Sequence, residues 1–433
     1  MASFASMKID ELNVLENSLN DRLDKFKRMN LNLNMSRGVP CTEQLDIASD
    51  MLNLINKDSS FKAEDGVDCR SYGDLAGIPE AVRLFAGMFE VGLNEIIIGG
   101  NSSLNLMYDT MLRAMYFEVV GSEKPWSKNE KVKFICPVPG YDRHFSICEG
   151  LGIEMITVGM TPDGPDVDEI EKLVADDDSI KGIWCVPKYS NPEGIIYSDE
   201  TVTRLAAMKT MASDFRIFWD NAYAFHSLSD ESKQLKNILS ECKKAGNPNR
   251  VFIFGSTSKI TFAGAGVSIL ASSEENIKLI KKQISIQTIS FDKINQLRHV
   301  KYLKNIENVK DIMKKHAAII KPKFDAVCDI FEKELSGKEI ASWIKPNGGY
   351  FMSFNALDGC AKKIVAMAKE AGISMTPAGA TYPYGNDPHD RNIRIAPTYP
   401  PLDELKTAIE VFCICVQIVS IWKHKKDNGG IKC

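Results

Sequence analysis

The chain has little that would attach it to nucleic acid or to a membrane. Its 53 Lys and Arg residues are outnumbered by 57 Asp and Glu, for a formal net charge of -4, so no general attraction for a polyanion is expected and nucleic acid is not expected as a partner. The 11 cysteines are scattered from Cys41 to Cys433 without paired C-x-x-C spacing. No metal site is therefore expected, and the thiols are expected to be reduced, as in a cytoplasmic protein. No apolar run reaches the ~20 residues that a bilayer requires. The stretch Val411 to Trp422 is shorter, is interrupted by Gln417, and reads as a core helix. The N-terminus carries acidic residues early and lacks the basic start and apolar run of a secretory signal, so neither export nor a membrane partner is expected. Nucleotide motifs are missing as well. Gly264-Ala265-Gly266 is followed by Ile269 where a dinucleotide fingerprint needs its third glycine, and no G-x-x-x-x-G-K-[ST] run occurs. The six histidines, among them His144, His226 and His299, show no zinc spacing and read as structural or peripheral. There is no low-complexity linker and no internal repeat.

What is present fits a large globular protein. A length of 433 residues with a hydrophobic share of 44% allows a large core with a smaller companion domain. Leucine and phenylalanine at helical spacing (Leu12, Leu15, Leu19, Leu23, Phe26) predict an amphipathic helix over 9–29. An irregular segment with Gly38 and Pro40 follows. From about residue 80 to 270, helical runs alternate with short apolar strands: NEIIIGG, KVKFICPVP, EMITVGM, IKGIWCVP, FRIFWDNAY, RVFIFGST and VSILAS. Each is bounded by Gly, Pro or Asn, which predicts an α/β fold with a mostly parallel, helix-covered sheet. The expected organisation is an N-terminal helix and arm (1–60) belonging to a small domain, a large domain (61–315), and a C-terminal α+β small domain (316–433). Residues 281–314 are expected to bridge the two domains.

Four strand ends carry residues suited to chemistry. Lys259 follows RVFIFGS amid small and hydroxylic neighbours. A desolvated lysine has a lowered pKa and becomes a nucleophile toward an aldehyde, although a lysine merely reaching out from a strand end would look the same. Asp220 ends FRIFWD, followed by Asn221 and Tyr223. A buried acid there needs a cationic partner, for which a protonated pyridine nitrogen would serve, or else it caps the next helix. Asn191-Pro192 forms the turn after GIWCVPKY, with an amide free to donate and a proline suited to a cis bond, or is simply a good turn. Gly99, Gly100, Asn101, Ser102 and Ser103 open a helix after EIII, offering N–H groups to a phosphate or forming an ordinary cap. Open parallel sheets bind ligands at such carboxyl ends.

Taken together, the segments SRGVP, YGDLAGIPEA, GGNSSLN, PGYDRH, PKYSNPEG, DNAYAFH, GSTSKITFAGAGVS, DKINQLRH, NGGYF and NIRIAPTYPP resemble the class I aminotransferases, fold-type I pyridoxal 5'-phosphate (PLP) enzymes. The resemblance is to an aspartate aminotransferase-like subgroup related to the aminotransferase domain of MocR-type regulators, and it covers nearly the whole chain. It implies an α/β PLP-dependent transferase fold, with PLP as cofactor and an amino group moved between an amino acid, aspartate or another dicarboxylic one included, and a 2-oxo acid. It further implies Lys259 as the Schiff-base lysine and proton carrier, and Asp220 at the pyridine nitrogen. Tyr223 and Asn191 would lie at the phenolic oxygen and Tyr141 would stack on the ring. Ser102, Ser103, Ser256 and Ser258 would lie on the phosphate side. Arg394 would grip the substrate α-carboxylate, with Arg37 and Gly38 flanking the substrate. Tyr72 would reach the phosphate from the second subunit of a homodimer with shared active sites. One departure stands out: many relatives carry an arginine eight residues after the lysine to neutralise the phosphate, and Val267 is found here. Lys293 or Arg298 is a candidate replacement, unless both lie on the exposed face of a bridging helix. NPEG in place of NPTG is a lesser change. A PLP-dependent lyase or decarboxylase would use the same lysine and aspartate. A PLP-binding regulator without turnover is the remaining alternative, and no winged-helix segment is expected before YGDLAGIPEA.

Overall fold

A computed structural model describes residues 3–229 and 233–428, so Cys433 lies outside the described residues. The strands are β1 (Leu33–Met35), β2 (Ile96–Ile98), β3 (Lys133–Val138), β4 (Glu154–Thr161), β5 (Gly164–Pro165), β6 (Ile180–Cys185), β7 (Arg216–Asp220), β8 (Val251–Ser256), β9 (Ser268–Ala271), β10 (Ala341–Trp343), β11 (Met352–Ala356), β12 (Ile373–Met375) and β13 (Asn392–Ile395). Every strand that the apolar runs predict is present.

Eight strands form one sheet in the order β2-β9-β8-β7-β6-β3-β4-β5. The central ladders β8-β7, β7-β6, β6-β3 and β3-β4 are parallel, while β9 runs antiparallel to both its neighbours. The inner strands β6 and β7 are buried at every position, as required when helices cover both faces of a parallel sheet. Helices Ser103–Tyr116, Asp142–Gly150, Val167–Asp176, Asp199–Ala207 and Ile238–Lys244 lie between successive strands. The chain passes from β3 to β4 on one side and from β6 to β7 and β8 on the other. The order therefore reverses at the β3/β6 boundary, and a crevice opens at the carboxyl ends there.

The second unit holds the antiparallel sheet β10-β11-β13 and the parallel pair β1-β12. The N-terminal arm belongs to it: Ile9–Arg28 is helical with Leu12, Leu19 and Leu23 buried, and β1 pairs with β12. Leu402–Asp427 is long and apolar enough to cross a membrane by length and composition, yet 78% of its apolar window is buried within the protein. It packs with the N-terminal helix, where Glu16 accepts from Trp422 Nε1 at 2.6 Å and pairs with Lys425. This is the core helix expected from Val411 to Trp422. The bridge lies further along the chain than expected. Residues 293–303 form a helix whose Leu297 and Leu303 belong to the large-domain core. The connection is made by the 30-residue helix Ile306–Leu335. Its Val309, Ile312 and Met313 pack in the large core, and its Ile320, Phe324 and Val327 pack in the small one.

Candidate active site

Sheet order makes neighbours of residues far apart in sequence. Lys259 lies in the turn after β8, Asp220 ends β7, Asn191 lies in the loop after β6 and Tyr141 follows β3, so the four project from adjacent strands. Because β9 is reversed, its start at Gly266–Ser268 lies at the same edge, beside the β2 end. There Gly99 N donates to Ser268 O at 2.7 Å and Ser268 N to Gly100 O at 2.8 Å.

Asp220 is 3% exposed. Its Oδ2 accepts from His144 Nε2 at 3.1 Å, whereas its Oδ1 is buried with no partner. An orphaned carboxylate oxygen in the interior costs a few kcal/mol unless a donor arrives, so the site is built to receive one. His144 is held flat against Trp184, with centroids 4.2 Å apart and planes 8° apart, and meets Tyr141 edge-on at 5.0 Å. Of the two expectations for the histidines, structural or peripheral, His144 meets the structural one: it supports the Asp220 carboxylate.

The Lys259 ammonium lies 5.2 Å from the centre of the Tyr223 ring and 5.8 Å from that of Tyr350. Burial lowers its pKa below the usual lysine range, and the Asp220 charge opposes part of that shift. His226 Nε2 donates to the Lys259 carbonyl at 3.2 Å, and burial followed by the Lys259 charge holds the ring's pKa at about 3. A neutral His226 therefore pins the lysine backbone without adding a second cation. Tyr223 and Tyr350 stack at 6.0 Å, and Gln44 Nε2 donates to Tyr350 Oη at 3.0 Å. Burial, with Tyr141 and Asp220 next, pushes the Tyr223 hydroxyl pKa well up.

The glycine-serine edge forms a cradle. Ser102 caps helix Ser103–Tyr116 by accepting from Leu104 N at 3.2 Å, so the free N–H groups of the first turn point outward beside Ser103. Ser258 Oγ donates to Asn101 O at 3.1 Å, and Asn101 Nδ2 to Gly264 O at 3.3 Å. Ser256 is the last residue of β8 and pairs with Ser268. A Cβ at Gly266 would fall 2.9 Å from Ser258 Oγ and 3.1 Å from Asn101 O, so only glycine lets these loops close on each other. Val267 is turned away, 1% exposed within the large-domain core.

Neither candidate cation lies on an exposed helix face. Lys293 is buried and bound to Asp74 Oδ2 at 3.0 Å and Tyr72 O at 3.2 Å. Arg298 is half-buried, donates to Asn295 Oδ1 at 2.5 Å and keeps a buried Nε without a partner. Asn295 in turn donates to Gly266 O at 2.8 Å. Lys293 is thus committed to Asp74, and Arg298 stands one residue removed from the cradle. Tyr72 is 76% exposed on this chain.

Arg394, in β13 of the small unit, is 6% exposed. Its NH1 donates to Asp142 Oδ1 at 2.7 Å and to Asn191 Oδ1 at 3.3 Å, and its Nε is buried without a partner. The guanidinium lies 4.9 Å over the Phe351 ring. Gly38 sits against the same ring, where an added Cβ would be 2.1 Å from Phe351 Cζ. Arg37 beside it is exposed. The Asn191–Pro192 bond is cis. Asp142, His144, Tyr350 and Phe351 were given no role from sequence, although all four lie in the PGYDRH and NGGYF segments already singled out.

These features fit PLP: an orphaned acid for a ring nitrogen, a desolvated lysine for the aldehyde, a cradle of N–H and hydroxyl groups for a phosphate, and an arginine fork for a carboxylate. Among the described residues, no His, Cys, Asp and Glu cluster suited to a metal ion occurs.

Comparison with known proteins agrees. The family model for aspartate amino-transferase matches residues 7–428. An aspartate aminotransferase of Corynebacterium glutamicum is 44% identical over 418 residues, which is 96% of this chain and 96% of that protein. The crystal structure of an aspartate transaminase from Corynebacterium glutamicum superposes with a TM-score of 0.95 at 43% identity, covering 98% of this chain and 99% of the other. A more distant α-aminoadipate aminotransferase of Thermus thermophilus, complexed with N-(5'-phosphopyridoxyl)-L-leucine, shares the fold with a TM-score of 0.74 at 17% identity, over 93% and 95% of the two chains. The chain therefore belongs to the aspartate aminotransferase family and is an aminotransferase of the PLP fold-type I class.

Proposed function

We propose that the crevice binds PLP and transfers the amino group of a dicarboxylic amino acid, aspartate foremost, to a 2-oxo acid. The observation that carries this is the convergence of Lys259, the unpartnered Asp220 Oδ1 and the unpartnered Arg394 Nε in one cleft. When bound, PLP supplies an aldehyde that accepts the amino group and a ring that withdraws electrons from the substrate Cα.

The chain's own residues do the rest. Asp220, backed by His144, would keep a proton on the ring nitrogen. Tyr223 and Asn191 would hydrogen-bond the phenolic oxygen, Tyr141 would cover the ring, and Ser102, Ser103, Ser256 and Ser258 would surround the phosphate. Lys259, with its lowered pKa, would attach the cofactor and then carry a proton to and from the substrate Cα. Arg394 would hold the α-carboxylate through a two-point fork that lysine cannot match. Arg37, exposed beside Gly38, would be the cation offered to a second carboxylate. That placement and the activity named for the Corynebacterium relative support a dicarboxylic donor. The exposure of Tyr72 supports a homodimer in which a second copy delivers it to the phosphate.

The test is a donor screen that follows conversion of bound PLP to its amine form together with 2-oxo acid release. Aspartate should exceed alanine in kcat/KM by roughly 10²-fold, and Arg37→Gln should shrink that ratio by roughly tenfold, about 1.4 kcal/mol. Equal rates with both donors would remove the dicarboxylic reading.

A further inference from the structure

Asp142 is left without a task by the assignments above, yet it makes the shortest contact to Arg394. It opens helix Asp142–Gly150 directly after Tyr141, and its Oδ1 lies 2.7 Å from NH1 of Arg394. A guanidinium has five N–H donors in one rigid plane. Asp142 and Asn191 together occupy NH1, and Phe351 lies under the plane at 4.9 Å. The edge left over is Nε with NH2, and Nε has no partner. That edge is a two-point match for a carboxylate.

We propose that Asp142 is a positioning residue for substrate binding: it clamps the NH1 corner of Arg394 so that the Nε/NH2 edge is presented to the incoming α-carboxylate. The proposal rests on the functional reading above. Asn191 alone is a poor clamp, because its 3.3 Å contact is long and neutral, whereas the 2.7 Å contact to Asp142 is charge-assisted and roughly twice as strong as a neutral one. An acid also suits the free enzyme. A buried guanidinium without a counter-ion is costly between turnovers, and Asp142 supplies one while its side chain stays 31% exposed. That exposure lets water screen its repulsion of the substrate carboxylate.

The experiment compares Asp142→Ala and Asp142→Asn in the PLP-loaded enzyme. Loss of the clamp in Asp142→Ala should raise KM for the amino donor and for the 2-oxo acid alike by about tenfold, with kcat changed less than about threefold, since both substrates carry the carboxylate that Arg394 reads. The inhibition constant of a dicarboxylate such as maleate should rise in step. Asp142→Asn keeps an acceptor oxygen but loses the charge, and should recover only part of the loss. PLP affinity and the reaction of a primary amine that has no carboxylate should not move in either variant, which separates positioning from a general disturbance of the helix. If Asp142→Ala does not fold, Asp142→Ser removes the same clamp and is read the same way. An unchanged or lowered KM in a folded Asp142→Ala enzyme overturns the proposal, because Asp142 would then be a bystander or a competitor for Arg394. Failure of the functional reading looks different: the unmodified protein would use aspartate and alanine at equal rates, whatever Asp142 does to KM.

Discussion

The two halves of the cleft are built in different ways. The cofactor half comes from one rigid object: Tyr141, Asn191, Asp220 and Lys259 stand at the ends of adjacent strands in a single sheet, so their spacing is set by hydrogen-bonded ladders. The carboxylate half is assembled from separate pieces. Gly38 comes from the N-terminal arm, Asp142 and Asn191 from the large unit, and Phe351 and Arg394 from the small one. A site on a sheet edge holds its geometry by itself, whereas a site between two cores depends on how they sit together. Damage to the first half should therefore abolish chemistry, and damage to the second should weaken substrate capture.

The largest effect is expected from Lys259→Ala, which removes both the attachment point and the proton carrier. Turnover should fall by ~10³-fold or more, and borohydride should no longer fix cofactor to the protein. Normal activity in that variant would end the assignment. Asp220→Asn keeps the shape but not the charge, and should slow transfer by ~10²–10³-fold while substrate KM stays within a few-fold. A predominant KM effect would blur the distinction between the halves. Gly38→Ala tests the other side. The new methyl displaces the Phe351 ring under Arg394, so KM for amino and 2-oxo acids should rise about tenfold, with PLP affinity unchanged by titration into apo-protein.

Two smaller effects sharpen the comparison further. Val267 stands where the family resemblance implies an arginine for the phosphate, but its side chain is packed in the core. Val267→Ala should cost ~2 kcal/mol of stability in urea unfolding and leave PLP affinity nearly intact; a selective loss of PLP over phosphate-free pyridoxal would mean that the cradle relies on this residue. The last effect is on acid stability. Burial lowers the pKa values of His299 and His316 to about 4 and of His226 to about 3, from the usual 6.5. Below pH 6.5 the unfolded chain takes up protons that the folded one refuses, so stability falls as pH drops through the window from 6.5 toward 4, each ring contributing about 1 kcal/mol by pH 5.5. Urea midpoints measured at pH 7.5 and 5.5 should show this drop, and His316→Asn should reduce it. A pH-independent midpoint would mean that the rings are hydrated.

Much of the cofactor half was legible because its residues follow apolar strands, and the alternation of strand and helix already implies a parallel sheet with a binding edge. Lys259, Asp220 and Asn191 carry that signal locally. The carboxylate half was less so. Arg394 and Gly38 were named through family resemblance, but nothing local in the chain ties Gly38 to Phe351 or Asp142 to Arg394, since those contacts cross between segments hundreds of positions apart. The lack of zinc spacing leaves His144 as either structural or peripheral, and only the fold decides, because its partners Trp184 and Asp220 come from two strands distant in sequence. Lys293 and Arg298 could not be placed from charge alone: whether a cation faces a phosphate or a neighbouring aspartate depends on packing, and Lys293 faces Asp74.

The sequence by itself determined the strand and helix order and the residue types at the strand ends, because these follow from periodicity within each segment, and it carried the class of enzyme through the family resemblance of its combined motifs. Only the tertiary structure decided which oxygen of Asp220 is free, which edge of Arg394 is open and which way Val267 points. Those are questions of direction and burial, settled when the two cores close on the bridging helix and each polar atom either finds a partner or is left waiting for one.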